Sequence, residues 1–204
     1  MNVADRYLPP PKQLAVARAP REYRSQLSLL LRFDARLAEI VTRGGEAIVG
    51  QMRMAWWRDI IAKPADARPK GEPMVAELCD LEPIAGSALA AAMIDIVDGW
   101  DCLLAQDDWA PPILTEHAGY RGRAIFGSDT DHSVSAQWAL HDLANLIAVD
   151  ISGALMNTAP GAHPAAGLRG KRHLSILVMA ARQQYEDKGS ASGIRLLLHS
   201  LTGL

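Results

Sequence analysis

The 204-residue sequence has few of the residues that cross-link small or secreted folds. It contains two cysteines, Cys79 and Cys102, and no CxxC pair. A disulfide framework needs several cysteines and a cysteine zinc site needs closely spaced ones, so neither is predicted. A reducing compartment fits this sparing use of cysteine.

Long apolar runs and a strong net charge are also missing. The longest uncharged apolar run, PIAGSALAAAMI at 83–94, is shorter than the about 20 residues that cross a bilayer. The start, MNVADRYLPPPK, lacks the basic and apolar segments of a signal peptide. We therefore expect a cytoplasmic protein that is either soluble or peripheral to a membrane. A formal net charge of -2 gives no basic field, so no nucleic-acid partner is predicted.

Strand patterns are sparse and helical spacing dominates. Aromatic residues make up 5% of the chain, and no clear period-two run of β-branched residues occurs. The first stripe at spacings of three and four consists of Leu27, Leu30, Leu31, Leu37, Ala38 and Val41. The sequence predicts an all-α single domain over 1–204. The predicted helices are 21–42, 46–62, 74–80, 84–105, 112–126, 133–155, 173–186 and 191–201, with loops at 63–73 and 157–172.

Three charged segments are candidate binding sites. SDTDHS at 128–133 lacks the Gly and Glu of a calcium loop, and a capped turn is the better interpretation. Asp95, Asp98 and Asp101, the acidic face, repeat every three residues and need solvent, a cation or basic partners. A solvated face is favoured over a metal site. RGKRH at 169–173 fits ordinary surface charge better than a lipid headgroup site.

The segment MRMAWWRD at 52–59 places two of the five tryptophans between two arginines. On a helix Arg53 and Trp57 are four residues apart and share a face. Arginine over an indole gains about 0.5 to 2 kcal/mol of cation–π energy. Composition alone leaves core packing and a site wall equally open.

This segment lies in a stretch that resembles the squalene/phytoene synthase family. LRFDARLAEIVTRGGEAIVGQMRMAWWRDII at 31–61 is similar to the family's aspartate-rich helix, turn and WWR helix. VDGWDCLL at 97–104 resembles the next helix, and YRGRAIFG at 120–127 resembles a segment where small residues let helices approach. The similarity runs in order through 10–155 and continues more weakly at 173–186. It implies an isoprenoid-synthase-like helical bundle around an apolar cavity.

The first metal motif of that family is degenerate here. Active members join two prenyl diphosphates with magnesium that two aspartate motifs hold. In register with the first motif, Ala38 and Thr42 stand where the family has its metal-binding aspartates. Glu39 is retained but belongs to another helix face. The resemblance implies that Ala38 and Thr42 face the helix at 133–155.

The second metal motif is degenerate as well. QWALHDLANLIAVD at 137–150 offers Asp142 and Asp150, two turns apart on the predicted helix, without an arginine before Asp142. Neither magnesium site is complete in the sequence. We therefore expect no cofactor, with magnesium only if the protein is an active enzyme after all.

The resemblance leads to three hypotheses. The favoured one is a non-catalytic family member that binds a prenyl lipid or prenyl diphosphate, or acts with a partner in assembling a membrane complex. Its candidate ligand-binding residues are Asp34, Arg53, Trp57 and Arg58. The second is an active head-to-head prenyltransferase with a rearranged site built from Asp34, Glu39 and the acidic face. The third is a plain helical scaffold. A cavity beside Arg53 and Trp57 separates the first two from the third.

Overall fold

The structure is a computed structural model that describes residues 7–106, 108–158 and 168–187. Those residues form nine α-helices and a short 3-10 turn, and no strand occurs among them. The helices are α1 (Pro10–Arg18), α2 (Arg21–Thr42), α3 (Ala47–Ala62), α4 (Pro73–Ala85), α5 (Ala88–Leu104), α6 (Pro111–Phe126), α7 (His132–Leu146), α8 (Ser152–Asn157) and α9 (Arg172–Asp187). The predicted all-α, single-domain fold class is confirmed. The helix predicted at 191–201 lies outside the described residues.

The long helix α2 buries one face against neighbouring helices. Its predicted stripe is buried at Leu27, Leu30 and Leu37 and half-buried at Val41. α2 packs chiefly on α5, with α1 and α4 beside it. Among the described residues, no helix is long and apolar enough to cross a membrane.

Ala38 and Thr42, which were both expected to face the helix at 133–155, differ in burial. Ala38 is buried, whereas Thr42, the last residue of α2, is exposed. α7, which contains most of the segment predicted as one helix at 133–155, packs on α6 and α9. The expectation that Thr42 faces that helix is therefore wrong, because α2 ends in solvent.

Two predicted helix boundaries are also wrong. α4 continues through Pro83 to Ala85 and ends at Gly86, whose φ of 71° suits glycine. Pro83 lies in the last turn, where its missing N–H removes a single backbone hydrogen bond rather than a whole turn. A new helix, α5, then begins at Ala88.

The predicted helix 133–155 is broken into α7 and α8. Ile147 is extended, with φ -135° and ψ 140°, which ends α7. Asp150 follows in the connection, is exposed, and accepts a hydrogen bond from the Ser152 N–H at 2.9 Å at the start of α8. Asp142 and Asp150 therefore do not share a helix. The sequence expectation also missed α1, which begins at a run of prolines favourable at a helix start.

Helices α6 and α7 approach closely at a glycine. A Cβ added to Gly122 would lie 2.7 Å from the Ser135 carbonyl carbon, which belongs to the α7 backbone. Backbone atoms cannot move aside as a flexible side chain does, so the crossing requires glycine. The close approach expected within 120–127 occurs at this residue.

We predict that Gly122→Ala lowers the free energy of unfolding by about 1 to 3 kcal/mol, because the added methyl forces the two backbones apart. Urea denaturation measures the change. Gly71→Ala is the matched control, since a Cβ there meets nothing within 4 Å. Equal stability of the two variants would contradict the close crossing.

Candidate functional site

Four charged side chains from four helices meet inside the protein. They are Lys12 of α1, Asp34 of α2, Arg121 of α6 and Asp142 of α7, and we call them the buried charge cluster. Their side chains are at most 12% exposed. Two cations and two carboxylates make the cluster electrically balanced, which buried charges require.

Arg121 is the centre of the buried charge cluster, and all five of its N–H donors have acceptors. Its Nε and Nη2 donate to the two carboxylate oxygens of Asp34, each at 2.7 Å. Nη2 also donates to Asp142 Oδ2 at 2.7 Å. Nη1 is 3.2 Å from the Ala139 carbonyl oxygen and 3.3 Å from His117 Nε2. The guanidinium lies over the rings of two tryptophans, at 4.6 and 5.2 Å from their centroids.

The cluster fixes the protonation of its members. Burial alone would raise the pKa of Asp34, but Arg121, Lys12 and the Trp100 indole N–H, which donates at 2.8 Å, lower it to about 2. Burial likewise opposes the charge on Arg121, yet Asp34 and Asp142 raise its pKa. Asp34 is therefore a carboxylate at neutral pH and Arg121 is a cation.

His117 supports the cluster in its neutral form. Its Nδ1 lies 2.6 Å from the Gly99 carbonyl oxygen and must donate there, so Nε2 accepts from Arg121. Burial and the neighbouring Arg121 lower the pKa of His117 to about 3. One tautomer thus satisfies both neighbours.

Asp34 does not match its predicted role in binding a ligand. It is 1% exposed and both of its oxygens accept from Arg121. A ligand could reach it only by breaking a buried ion pair, which is costly. The buried charge cluster is therefore structural, and the prediction for Asp34 is corrected.

The acidic face is partly exposed and pairs with arginines of two neighbouring helices. Arg58 of α3 donates to Asp98 at 2.6 Å and to Asp101 at 3.1 Å. Arg123 of α6 donates to Asp95 at 2.7 Å. Arg58 therefore joins α3 to α5, and its predicted role on a diphosphate is replaced by this ion pair. Within the described residues, no group of three or more His, Cys, Asp or Glu could hold a metal ion.

A groove lies where the C-terminal half of α2 and the following loop face the outer side of α3. Its volume is about 760 Å³. Its apolar wall consists of Ile40, Val49, Met52, Trp56 and Trp57. Its charged residues are Arg36, Glu39, Arg43, Arg53 and Glu72. We call this site the arginine groove.

The charges of the arginine groove are unequal, with three arginines against two glutamates. Glu39 pairs with Arg43 at 3.1 Å and approaches Arg36 at 3.7 Å. Arg53 is exposed and makes no hydrogen bond or ion pair with any described residue. It also lines an adjoining cavity of about 460 Å³, whose far wall includes Leu104. An unpaired cation thus lies at the junction of two cavities.

The adjacent tryptophans have different environments. Trp57 is 5% exposed and contacts Phe33 edge-to-face with ring centroids 5.0 Å apart. Trp56 is 45% exposed and packs its ring against Trp57 at 4.9 Å. The cation–π contacts of the described residues involve other cations than Arg53. Trp57 therefore packs mainly in the core and reaches the arginine groove with one edge, whereas Trp56 forms an exposed part of the groove wall.

The structure brings Arg53, Trp57 and Glu39 together in the arginine groove, but neither Ala38 nor Thr42 lines it. The sequence expectation missed Arg36 and Arg43 because they flank a motif rather than belong to it.

Arg121 was also missed, although a signal for it exists. It falls on the buried stripe of Leu114, Ala118 and Ile125, at spacings typical of a core face. An arginine on such a stripe indicates a buried partner of opposite charge.

No family model, curated protein or solved structure matches the chain.

We predict that Asp34→Ala lowers the free energy of unfolding by about 3 to 5 kcal/mol, because it leaves Arg121 buried without its main partner. Arg58→Ala removes a half-exposed pair and should cost at most about 1 kcal/mol. Urea denaturation of both variants checks this difference. A small, equal loss in the two would show that the buried charge cluster does not hold the helices together.

Acid should destabilise the protein below the ordinary histidine pKa of 6.5. Burial lowers the pKa of His117 to about 3 and that of His141 to about 4. Between these values and 6.5 the unfolded chain binds protons that the folded protein does not, so stability falls as pH falls. Each histidine contributes at most about 1.4 kcal/mol per pH unit.

Urea denaturation at a series of pH values measures this slope. His141→Phe should reduce the slope by one histidine's share, because phenylalanine carries no titratable group. A flat profile between pH 6.5 and 4 would contradict neutral buried histidines.

Proposed function

We propose that the protein is a non-catalytic binder of an anionic prenyl lipid, such as a prenyl diphosphate, and that the arginine groove is its site. The supporting observation is one groove that combines an apolar aromatic wall with an excess of arginine. A volume of about 760 Å³ lies in the range of ligand sites, which runs from about 300 to 1,000 Å³.

The charged head of such a lipid has suitable partners. Guanidinium groups bind phosphate oxygens through paired N–H donors. Arg53 is unpaired among the described residues, so no ion pair has to break before it binds an anion. Arg43 shares an exposed ion pair with Glu39, and such pairs contribute little, so a phosphate can compete for Arg43.

The hydrocarbon part of the lipid would lie along the apolar wall. Met52 and Trp56 are exposed on that wall, and Val49 lines both the groove and the adjoining cavity. Each buried methylene contributes about 0.8 kcal/mol. A branched prenyl chain contains many methyl and methylene groups, and the apolar wall offers a surface on which to bury them.

The same contacts favour binding over catalysis. Prenyl diphosphate condensation needs metal ions to neutralise the leaving diphosphate. In the family register, Ala38 and Thr42 lack carboxylates, and Asp34 is buried against Arg121. The acidic face is paired with arginines. This supports a non-catalytic protein over a rearranged prenyltransferase, while the groove favours binding over a plain scaffold.

We predict that Arg53→Ala weakens binding of farnesyl diphosphate by at least about tenfold, since a hydrogen bond to a charged group contributes about 1.5 to 3 kcal/mol. Isothermal titration calorimetry of the purified protein with farnesyl diphosphate measures the affinity. Arg21→Ala is the control. Arg21 is also exposed, and it begins α2 roughly 33 Å from Arg43 by helix length. Neither variant should change the melting temperature.

Farnesol separates the two parts of the ligand, because it has the same chain without the diphosphate. Its weaker binding should be insensitive to Arg53→Ala. Equal loss of farnesyl diphosphate affinity in Arg53→Ala and Arg21→Ala would overturn the site. Robust magnesium-dependent condensation of prenyl diphosphates would overturn the non-catalytic assignment.

A further inference from the structure

The outer side of α3 exposes a row of apolar side chains. Ile48, Met52 and Trp56 follow one another at spacings of four residues, and Val49 lies beside them. These residues are 58%, 67%, 45% and 43% exposed in the order Ile48, Met52, Trp56 and Val49. Among the described residues, none packs over these four side chains closely enough to bury them as core residues are buried. We call this row the α3 stripe.

The α3 stripe is unusual because the opposite face of the same helix is also apolar. Met54, Trp57 and Ile61 are buried there, and α3 packs on α5. A surface helix normally has one apolar and one polar face. Single exposed apolar side chains are ordinary, and Ile84 and Met156 are such cases on α4 and α8. A contiguous row calls for an occupant.

The groove beside the α3 stripe holds three arginines against two glutamates, so its charge is basic on balance. Met52 and Trp56 form part of the wall of the arginine groove, so Arg36, Arg43 and Arg53 open beside the stripe. Arg36, Arg43 and Arg53 are exposed, so their charges act on whatever approaches this side of α3. A partner that complements this side of α3 therefore combines negative charge with an adjacent apolar layer.

The size of the α3 stripe favours a lipid surface over a folded protein. Its four side chains expose on the order of 400 Å², the size of a single functional patch on a monomer. A stable protein interface buries roughly 800 Å² on each partner. Tryptophan and arginine beside aliphatic side chains are typical of helices that lie in the interface of a bilayer.

We propose that the α3 stripe docks on a bilayer surface that contains anionic phospholipid. α3 would lie in the plane of the membrane, with Ile48, Met52 and Trp56 among the headgroups and upper acyl chains. The arginines would contact lipid phosphates, each contributing to affinity for an anionic surface. This docking does not depend on the proposed prenyl ligand, although it brings the arginine groove to the membrane.

Vesicle flotation tests the docking. The full chain should float with vesicles of phosphatidylcholine containing a quarter of phosphatidylglycerol, and bind weakly to phosphatidylcholine alone. Ile48→Glu should reduce this binding at least about tenfold, because a carboxylate in the stripe meets acyl chains and anionic lipid. The control is Met156→Glu, an exposed position on α8, which packs on α6 and α7. It should bind like the unchanged chain.

Charge and position are tested separately. Arg43→Gln should weaken binding to the anionic vesicles about fivefold, whereas Arg21→Gln should leave it unchanged. Vesicles should shift the tryptophan emission to shorter wavelength, and Trp56→Phe should remove most of that shift.

Ile48 lines neither the arginine groove nor the adjoining cavity. Ile48→Glu should therefore retain its affinity for farnesyl diphosphate in solution. Binding of farnesyl diphosphate without vesicle binding would support the proposed function and contradict membrane docking. Vesicle binding without farnesyl diphosphate binding would support docking and contradict the proposed function. The docking is also overturned if Met156→Glu fails as badly as Ile48→Glu. It is overturned too if light scattering shows a dimer that Ile48→Glu dissociates, without vesicle binding.

Discussion

The ion pairs of Arg121 in the core constrain the rest of the structure. A guanidinium can be buried only when its donors have acceptors and its charge is balanced. Here the acceptors come from α2, α6 and α7, and Lys12 of α1 balances the second carboxylate. A shift of any of these helices by one turn would leave a buried N–H or carboxylate without a partner. The cluster therefore selects one register among several that the leucine stripes alone would allow.

This central constraint determines where a ligand can bind. The charged groups in the middle of the bundle bind one another, since Asp34 accepts from both Arg121 and Trp100. The available charge lies instead at the edge, where α2 ends and α3 begins. Arg53 and Arg43 lie there beside apolar side chains, at a solvent-exposed position. An exposed arginine costs little to maintain, whereas a buried unpaired one would destabilise the fold.

The sequence predicts the parts of the fold that local spacing controls. The stripe of α2 follows from leucines three and four residues apart, and the capped turn before α7 is present, with Asp131 accepting from the Ser133 N–H. The break after α7 was not predictable, because apolar residues continue through the extended Ile147. The buried charge cluster was not predictable either, because Asp34 and Arg121 are 87 residues apart. In the proposed site, Arg53 and Trp57 follow from the sequence of one helical segment. Ala38 and Thr42 were chosen by aligning the chain with a family motif, and neither residue lines the groove.

Helix α3 connects the core with the proposed surface site, because its successive residues point into different environments. Neighbouring residues on an α-helix point about 100° apart, so Trp57 can pack on Phe33 while Trp56 remains at the surface. Arg58, one position further, forms a half-exposed ion pair with α5. The buried contacts thus fix the orientation in which Arg53 and Trp56 are displayed. A rigid inner face fixes the backbone positions from which Arg53 and Trp56 project at the surface, and the proposed lipid binding rests on those positions.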